Sequence, residues 1–180
     1  MAIAPATVAM SLFILLSCGG KSKDFASAIT SRDSTAVMTT RGISSSISEN
    51  GQIKYHIIAG SWEVFDQAKP PYQAFEDSAY LEVYDSAMNV VSIIRADTAY
   101  YYDESKIWEL RGNVHSENSE NERFDTQLLY WNQQRETVYS DARIKIRQEN
   151  QIIEGVGFDS NQDFTRYTIR KTEGIFPVRE

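Results

Sequence analysis

The chain has 180 residues, 42% of them hydrophobic and 12% aromatic, which is enough to bury a core and rules out wholesale disorder. Its 25 Asp and Glu outnumber 18 Lys and Arg, and the formal charge of -7 argues against a nucleic-acid partner. One cysteine, Cys18, and two histidines, His56 and His115, allow no internal disulfide and no cysteine-based zinc site. No metal or cofactor is expected.

The N-terminal segment carries no charged side chain from Met1 to Ser17, and the run from Val8 to Leu16 is almost wholly apolar. A membrane-spanning helix needs about 20 apolar residues, whereas the core of a signal peptide needs only about 7 to 15. The run ends in Leu15-Leu16-Ser17-Cys18-Gly19-Gly20, which resembles the lipobox of bacterial lipoproteins. That resemblance implies cleavage before Cys18, with a diacylglycerol on its thiol and an acyl group on its amine. The alternative is a buried apolar segment with an ordinary thiol, or an uncleaved anchor. Two or more acyl chains hold a protein stably on a membrane, where one is marginal. Residues 1–17 are therefore read as a signal peptide. Residues 18–40, rich in Ser, Thr, Gly and Ala, are read as a lipidated cysteine with a flexible tether.

Residues 41–177 are read as the folded domain. Turn-forming clusters recur at Glu49 to Gly51, Asp85 to Asn89, Asp103 to Lys106, Ser116 to Glu122, Asn132 to Glu136, Gln148 to Gln151 and Asn161 to Asp163. From the second onward their centres step by about 17, 15, 15, 15 and 13 residues, too short for crossover helices, so the chain must run strand, turn, strand back. Two further strands are predicted over Ile53 to Ala59 and Ser61 to Phe65, followed by a surface loop over 67–77 around Pro70-Pro71.

Alternation places one apolar side on each strand. Trp108, Leu110 and Val114 oppose Glu109 and Arg111; Ile144 and Ile146 oppose Arg143, Lys145 and Arg147; Tyr167 and Ile169 oppose Arg166, Thr168 and Arg170; Leu81 and Val83 sit between Tyr80, Glu82 and Tyr84. Tyr100 to Tyr102 and Leu128 to Trp131 are apolar on both faces, as strands with a covered outer side would be. Between Ile152 and Phe158 the parity changes near Gly155 and Gly157, which suggests a bulge. About nine to eleven antiparallel strands give an all-β sandwich, barrel or rolled sheet.

The run Trp108-x-Leu110-x-Gly112-Asn113-Val114, then Thr126-x-Leu128-x-Tyr130-Trp131-Asn132, then Val138-x-Ser140 with Ile144 and Ile146, then Ile153-Glu154-Gly155-Val156-Gly157-Phe158, resembles the LptC family of lipopolysaccharide-export proteins. The wider set of β-jellyrolls includes LptA, and the likeness covers about residues 40 to 175. It implies an open, twisted antiparallel jellyroll that carries the acyl chains of lipopolysaccharide. Such a protein receives the lipid from jellyroll subunits of an ATP-driven inner-membrane transporter and passes it to an LptA-like periplasmic bridge. It hydrolyses nothing, and it sits in the periplasm on a membrane anchor. Members of the family usually carry an N-terminal transmembrane helix, where this chain has its lipobox-like segment.

A trough for several acyl chains needs a long apolar lining, since each buried methylene contributes about 0.8 kcal/mol. Leu81, Val83, Trp108, Leu110, Val114, Leu128, Ile144, Ile146, Tyr167 and Ile169 are the expected inward residues; plain core packing is the alternative for each. The resemblance also implies that the first strand, near Ile43 to Ser48, meets the transporter and the last, near Tyr167 to Ile169, meets the bridge protein. Sheet edges can be extended by strand addition. The competing function is a scaffolding envelope lipoprotein that binds another protein or a glycan. An enzyme using Asp97 and Asp103 lacks support because nothing in the sequence places them together, and His115, beside the acidic stretch Glu117 to Glu122, reads as a solvated hairpin tip. No hydrolase, metalloprotease or nucleotide-binding motif is present.

The lipobox reading is checked by metabolic labelling with a fatty-acid probe: the wild-type chain should label and Cys18→Ser should not. Absence of label on the wild type, or its retention by Cys18→Ser, contradicts it.

Overall fold

A computed structural model describes residues 34–173. The signal segment, Cys18 and the tether as far as residue 33 lie outside the described residues. Ten strands follow: β1 Met38–Glu49, β2 Gln52–Phe65, β3 Tyr72–Tyr84, β4 Val90–Ala96, β5 Thr98–Tyr102, β6 Ile107–Asn118, β7 Arg123–Asn132, β8 Thr137–Arg147, β9 Ile152–Asn161 and β10 Tyr167–Thr172. They form one antiparallel sheet in the order β1-β2-β3-β4-β6-β7-β8-β9-β10, with β5 continuing the lane of β4 between β3 and β6. The protein is a twisted, all-β jellyroll, as the strand and turn pattern predicts.

Several local expectations need correction. Ile53 to Ala59 and Ser61 to Phe65 are one strand that runs through Gly60, and the loop expected over 67–77 ends at Pro71, because Tyr72 to Phe75 pair with β2 and Gln73 to Phe75 also with β5. β1 begins at Met38, so the last residues of the stretch read as tether are strand. β6 extends to Asn118. His115 is therefore a mid-strand residue opposite Arg95 and Asp125, not a hairpin tip.

What bends this sheet is a line of irregular residues that crosses the lanes at the same level. Gly42 falls between the Arg41–Ser61 and Ile43–Ala59 pairs, opposite Gly60, and Gly60 in turn lies opposite Asp77 and Ser78, both at positive φ. Ser78 N–H donates to the Asp97 carbonyl at 3.0 Å, and Asp97 N–H to the Gly112 carbonyl at 2.9 Å. Gly112 and Asn113 oppose Gln127, Asp141 and Ala142 oppose Gly157, and Gly157 lies opposite Arg170. The bulge expected near Gly155 and Gly157 is present, but the extra residue belongs to β8. Register shifts or left-handed residues recur at this level in most lanes, and the sheet creases there.

The crease folds the sheet so that its inner sides meet. Tyr55 of β2 packs edge-on against Trp131 of β7, with ring centroids 4.8 Å apart. Ser92 of β4 donates to the Gln162 carbonyl and Asn118 of β6 to the Phe164 carbonyl, both 3.0 Å. Between the layers lie Leu81, Val83, Ile94, Leu110, Val114, Phe124, Leu129, Trp131, Ile144, Ile146, Phe158 and Phe164, all sealed from solvent. Among the described residues, antiparallel pairing leaves β1 joined only to β2 and β10 only to β9, so that the sheet has an edge at each end.

Gly112 makes the crease testable. At φ +73 it occupies a conformation that only glycine adopts cheaply, and a Cβ there would lie 2.5 Å from Asp97 Oδ2. Gly112→Val should cost about 2 to 3 kcal/mol in urea unfolding. Gly51→Asn, in the β1–β2 turn with open space around it, should cost less than about 1 kcal/mol. Equal losses at both positions would contradict the role given to the crease.

Candidate functional site

At the β1 end of the jellyroll the two layers do not close. A cavity of about 600 Å³ lies beneath the edge strand, lined by Ile43 and Ile47 of β1, Ile57 and Trp62 of β2, Phe75 of β3, Tyr101 of β5 and Trp108 of β6, with Gln73, Gln133, Thr40, Gly42, Ser44 and Ser45 also contributing. None of these carries a formal charge at neutral pH. Burial pushes the Tyr101 hydroxyl above its ordinary pKa, only partly opposed by nearby Lys106, so Tyr101 stays neutral in the physiological range. The opening is apolar and uncharged, and its volume falls within the range of about 300 to 1,000 Å³ common to small-molecule sites.

The walls follow from the register. On β1, Ile43 and Ile47 point inward while the serines between them leave the strand thin, and the rest of the strand is largely exposed. On β2 the crease at Gly60 shifts parity, so that Ile57 and then Trp62 face the inside. Tyr101 alone of the three consecutive tyrosines points inward, stacking at 4.8 Å on Trp108, which also meets Phe75 at 5.1 Å. Trp62 lies parallel to Phe75 at 6.2 Å and donates its indole N–H to Gln73 Oε1 at 3.0 Å; Gln73 Nε2 in turn donates to Asp103 Oδ2 at 2.8 Å. A wall of aromatic rings is thereby fixed at its polar rim.

Of the ten side chains expected to line a trough, Trp108 lies at this cleft. Leu81, Val83, Leu110, Val114, Ile144 and Ile146 are inward, as alternation requires, but they are packed solid in the centre of the jellyroll. Tyr167 and Ile169 are half-buried at the far edge, where Tyr167 meets Phe124 and Phe158. Leu128 is not inward. It pairs with Arg111 on the outer side, and Leu129, opposite Leu110, takes the inward place because β7 changes parity at the crease.

The outer side explains the strands that are apolar on both faces. Tyr72, Tyr100 and Tyr102 cluster there, with Phe65 stacked on Tyr72 at 4.7 Å and Tyr130 stacked on Tyr139 at 5.0 Å. Glu109, only 7% exposed, accepts from Tyr102 at 3.1 Å and Tyr130 at 3.4 Å and pairs with Arg111 at 2.6 Å. Burial, reinforced by Glu109, pushes the Tyr102 hydroxyl up to about 12. Glu82 is held below its ordinary range by the Tyr84 hydroxyl, with Tyr80 and His56 adding to the effect. Two further hollows carry charged side chains: one of about 330 Å³ ringed by Arg95, His115, Arg123, Asp125 and Arg147, and one of about 590 Å³ beside Arg135 and Asp159. Asp97 accepts from Asn113 within the crease and Asp103 from Gln73 and Lys106 at the cleft rim, so each already serves a local structural bond.

Sequence reasoning missed Ile43, Ile47, Ile57, Trp62, Phe75 and Tyr101 as lining residues. Their signal was faint: an isoleucine every fourth residue among serines on the first strand, and single aromatics beside the crease.

Compared with curated proteins, the chain has no match. Against family models, residues 6–172 match the model described as lipopolysaccharide-assembly, LptC-related, which spans nearly the whole chain. That family is a periplasmic, inner-membrane-associated transport component and is not known as an enzyme family. The resemblance read from the strand motifs agrees with it. With its all-antiparallel jellyroll and this family match, the chain belongs to the LptC family and has a role in lipopolysaccharide transport.

Proposed function

We propose that this protein takes an acyl portion of lipopolysaccharide into the cleft beneath β1 and passes the lipid along the export path, from the inner-membrane transporter toward an LptA-like bridge. The observation that carries the reading is an opening of about 600 Å³ with an apolar, uncharged wall, open at the one end of the jellyroll where the edge strand is thin. Hydrocarbon entering such a space leaves water at about 0.8 kcal/mol per methylene without any need for exact contacts. The sealed centre bounds the load: the cleft suits one chain or part of one, and further chains would lie along the open edges.

Handover is assigned to those edges. Among the described residues β1 and β10 each pair on one side only, so each can offer backbone groups to a strand of another jellyroll. Following the family, β1 meets the transporter's jellyroll subunits and β10 the bridge protein. Cys18, acylated, tethers the domain to the membrane, with the inner membrane as the expected location.

The packed centre around Leu110 and Ile144 supports the second reading, a scaffolding lipoprotein that only recognises another protein or a glycan. The two part on one experiment. A photo-crosslinking residue placed at Ile47 or Tyr101 should give lipopolysaccharide adducts in cells, and one at Ile144 should give none. A well-expressed protein without adducts at the two cleft positions overturns the lipid reading in favour of the scaffold. For the edges, crosslinkers at exposed Thr39 and Thr168 should capture transporter and bridge components respectively, and the absence of both products would contradict strand addition.

A further inference from the structure

The three tryptophans of this chain differ in one respect. Trp62 donates its indole N–H to Gln73 Oε1 at 3.0 Å, and Trp131 donates to Gln162 Oε1 at 3.3 Å. Trp108 has no such acceptor. Among the described residues, its Nε1 is the one buried side-chain nitrogen or oxygen without a hydrogen-bond partner. Trp108 is 4% exposed, and it lines the cleft. Its ring neighbours are Phe75, Tyr101 and Trp131, with centroids at 5.1, 4.8 and 6.4 Å. A ring face is at best a weak acceptor compared with an oxygen.

Leaving a buried donor unsatisfied is costly, and native interiors hold few such groups. Here the residue that bears the orphan lines an uncharged, largely apolar opening, beside a strand that pairs on one side only among the described residues. Inward from β1, Ile43 and Ile47 are half-buried, so this wall can yield without breaking the packed centre. A bare hydrocarbon entering the cleft would leave the indole N–H unpaired. A chain that carries an oxygen would satisfy it.

We propose that Trp108 is the polar anchor of the cleft, its indole N–H donating to a carbonyl or hydroxyl oxygen borne by an acyl chain that lies against Ile43, Ile47 and Ile57. This rests on the acyl-binding reading of the cleft and adds a selectivity to it: oxygen-bearing chains are preferred over plain hydrocarbon. The geometry of the walls sets chain affinity, and the indole sets where along the chain the oxygen stops.

The test uses the full chain, kept in solution with a fluorinated surfactant that mixes poorly with hydrocarbon, and two probes, dodecan-1-ol and dodecane. Relative to Trp108→Phe, the wild type should favour dodecan-1-ol over dodecane by about fivefold to tenfold, the worth of one neutral hydrogen bond. Trp131→Phe, outside the cleft lining, should keep that preference. In parallel, the three indole N–H resonances are assigned by Trp62→Phe and Trp131→Phe, each of which removes one peak. The Trp108 resonance should move downfield with dodecan-1-ol and stay with dodecane, a readout that holds even if Trp108→Phe does not fold. An equal preference in wild type and Trp108→Phe, or a Trp108 resonance indifferent to dodecan-1-ol, overturns the anchor and leaves the acyl cleft standing. Failure of the wild type to bind either probe overturns both.

Discussion

The fold depends on a transverse crease. A ten-stranded antiparallel sheet of this length would otherwise be a twisted ribbon with one apolar side and nothing to cover it. Gly42, Gly60, Asp77 with Ser78, Asp97, Gly112 with Asn113, and Gly157 lie in register across the lanes, and the left-handed backbone many of them adopt lets the sheet bend at that level. Asn113 Nδ2 donates to Asp97 Oδ2 at 2.9 Å, and Thr126 Oγ1 donates to the Arg143 carbonyl at 2.9 Å, so polar side chains satisfy backbone and carboxylate where the ladder is broken. Only after this bend can Tyr55 reach Trp131 and the two halves bury one another.

The same crease decides what the sequence reveals. Strand existence and turn position were legible because turn residues recur at short, even steps and leave no room for helices. Face assignment was legible on β6 and β8, where three residues are spent at the crease: Leu110 and Val114 stay in phase across Arg111 to Asn113, and so do Ser140 and Ile144 across Asp141 to Arg143. On β7 only Gln127 and Leu128 separate inward Thr126 from inward Leu129. Simple alternation cannot see that step and assigns Leu128, rather than Leu129, to the inside. Gly60 misled for a related reason: a glycine with a parity change reads as the end of a strand when it is a bend within one.

The cleft was harder to read than the fold. Inward-facing and lining a cavity are different properties, and a sequence pattern reports only the first. Leu110 and Ile144 meet the alternation rule perfectly well and are core; Tyr101 sits in a triplet whose pattern assigns no face, yet it lines the opening. What leaves the β1 end open is a matter of side-chain volume. Gly42, Ser44 and Ser45 give β1 little bulk to fill the space over Trp62, Phe75 and Trp108. The far end, by contrast, is plugged by Phe124, Phe158, Phe164 and Tyr167, whose ring centroids lie between 5.0 and 6.2 Å apart. At the far end rings fill the space, whereas at the β1 end rings form a wall that the short side chains of the edge strand do not fill. That asymmetry leaves the β1 end as the place where the jellyroll stays open.

Nuclear Overhauser contacts between lipopolysaccharide and isoleucine methyl groups in the purified complex test this account most directly. Acyl methylene protons should contact the methyls of Ile43, Ile47 and Ile57 while Ile144 and Ile146 remain silent. A bound lipid that contacts none of the three, or that reaches Ile144, would contradict it.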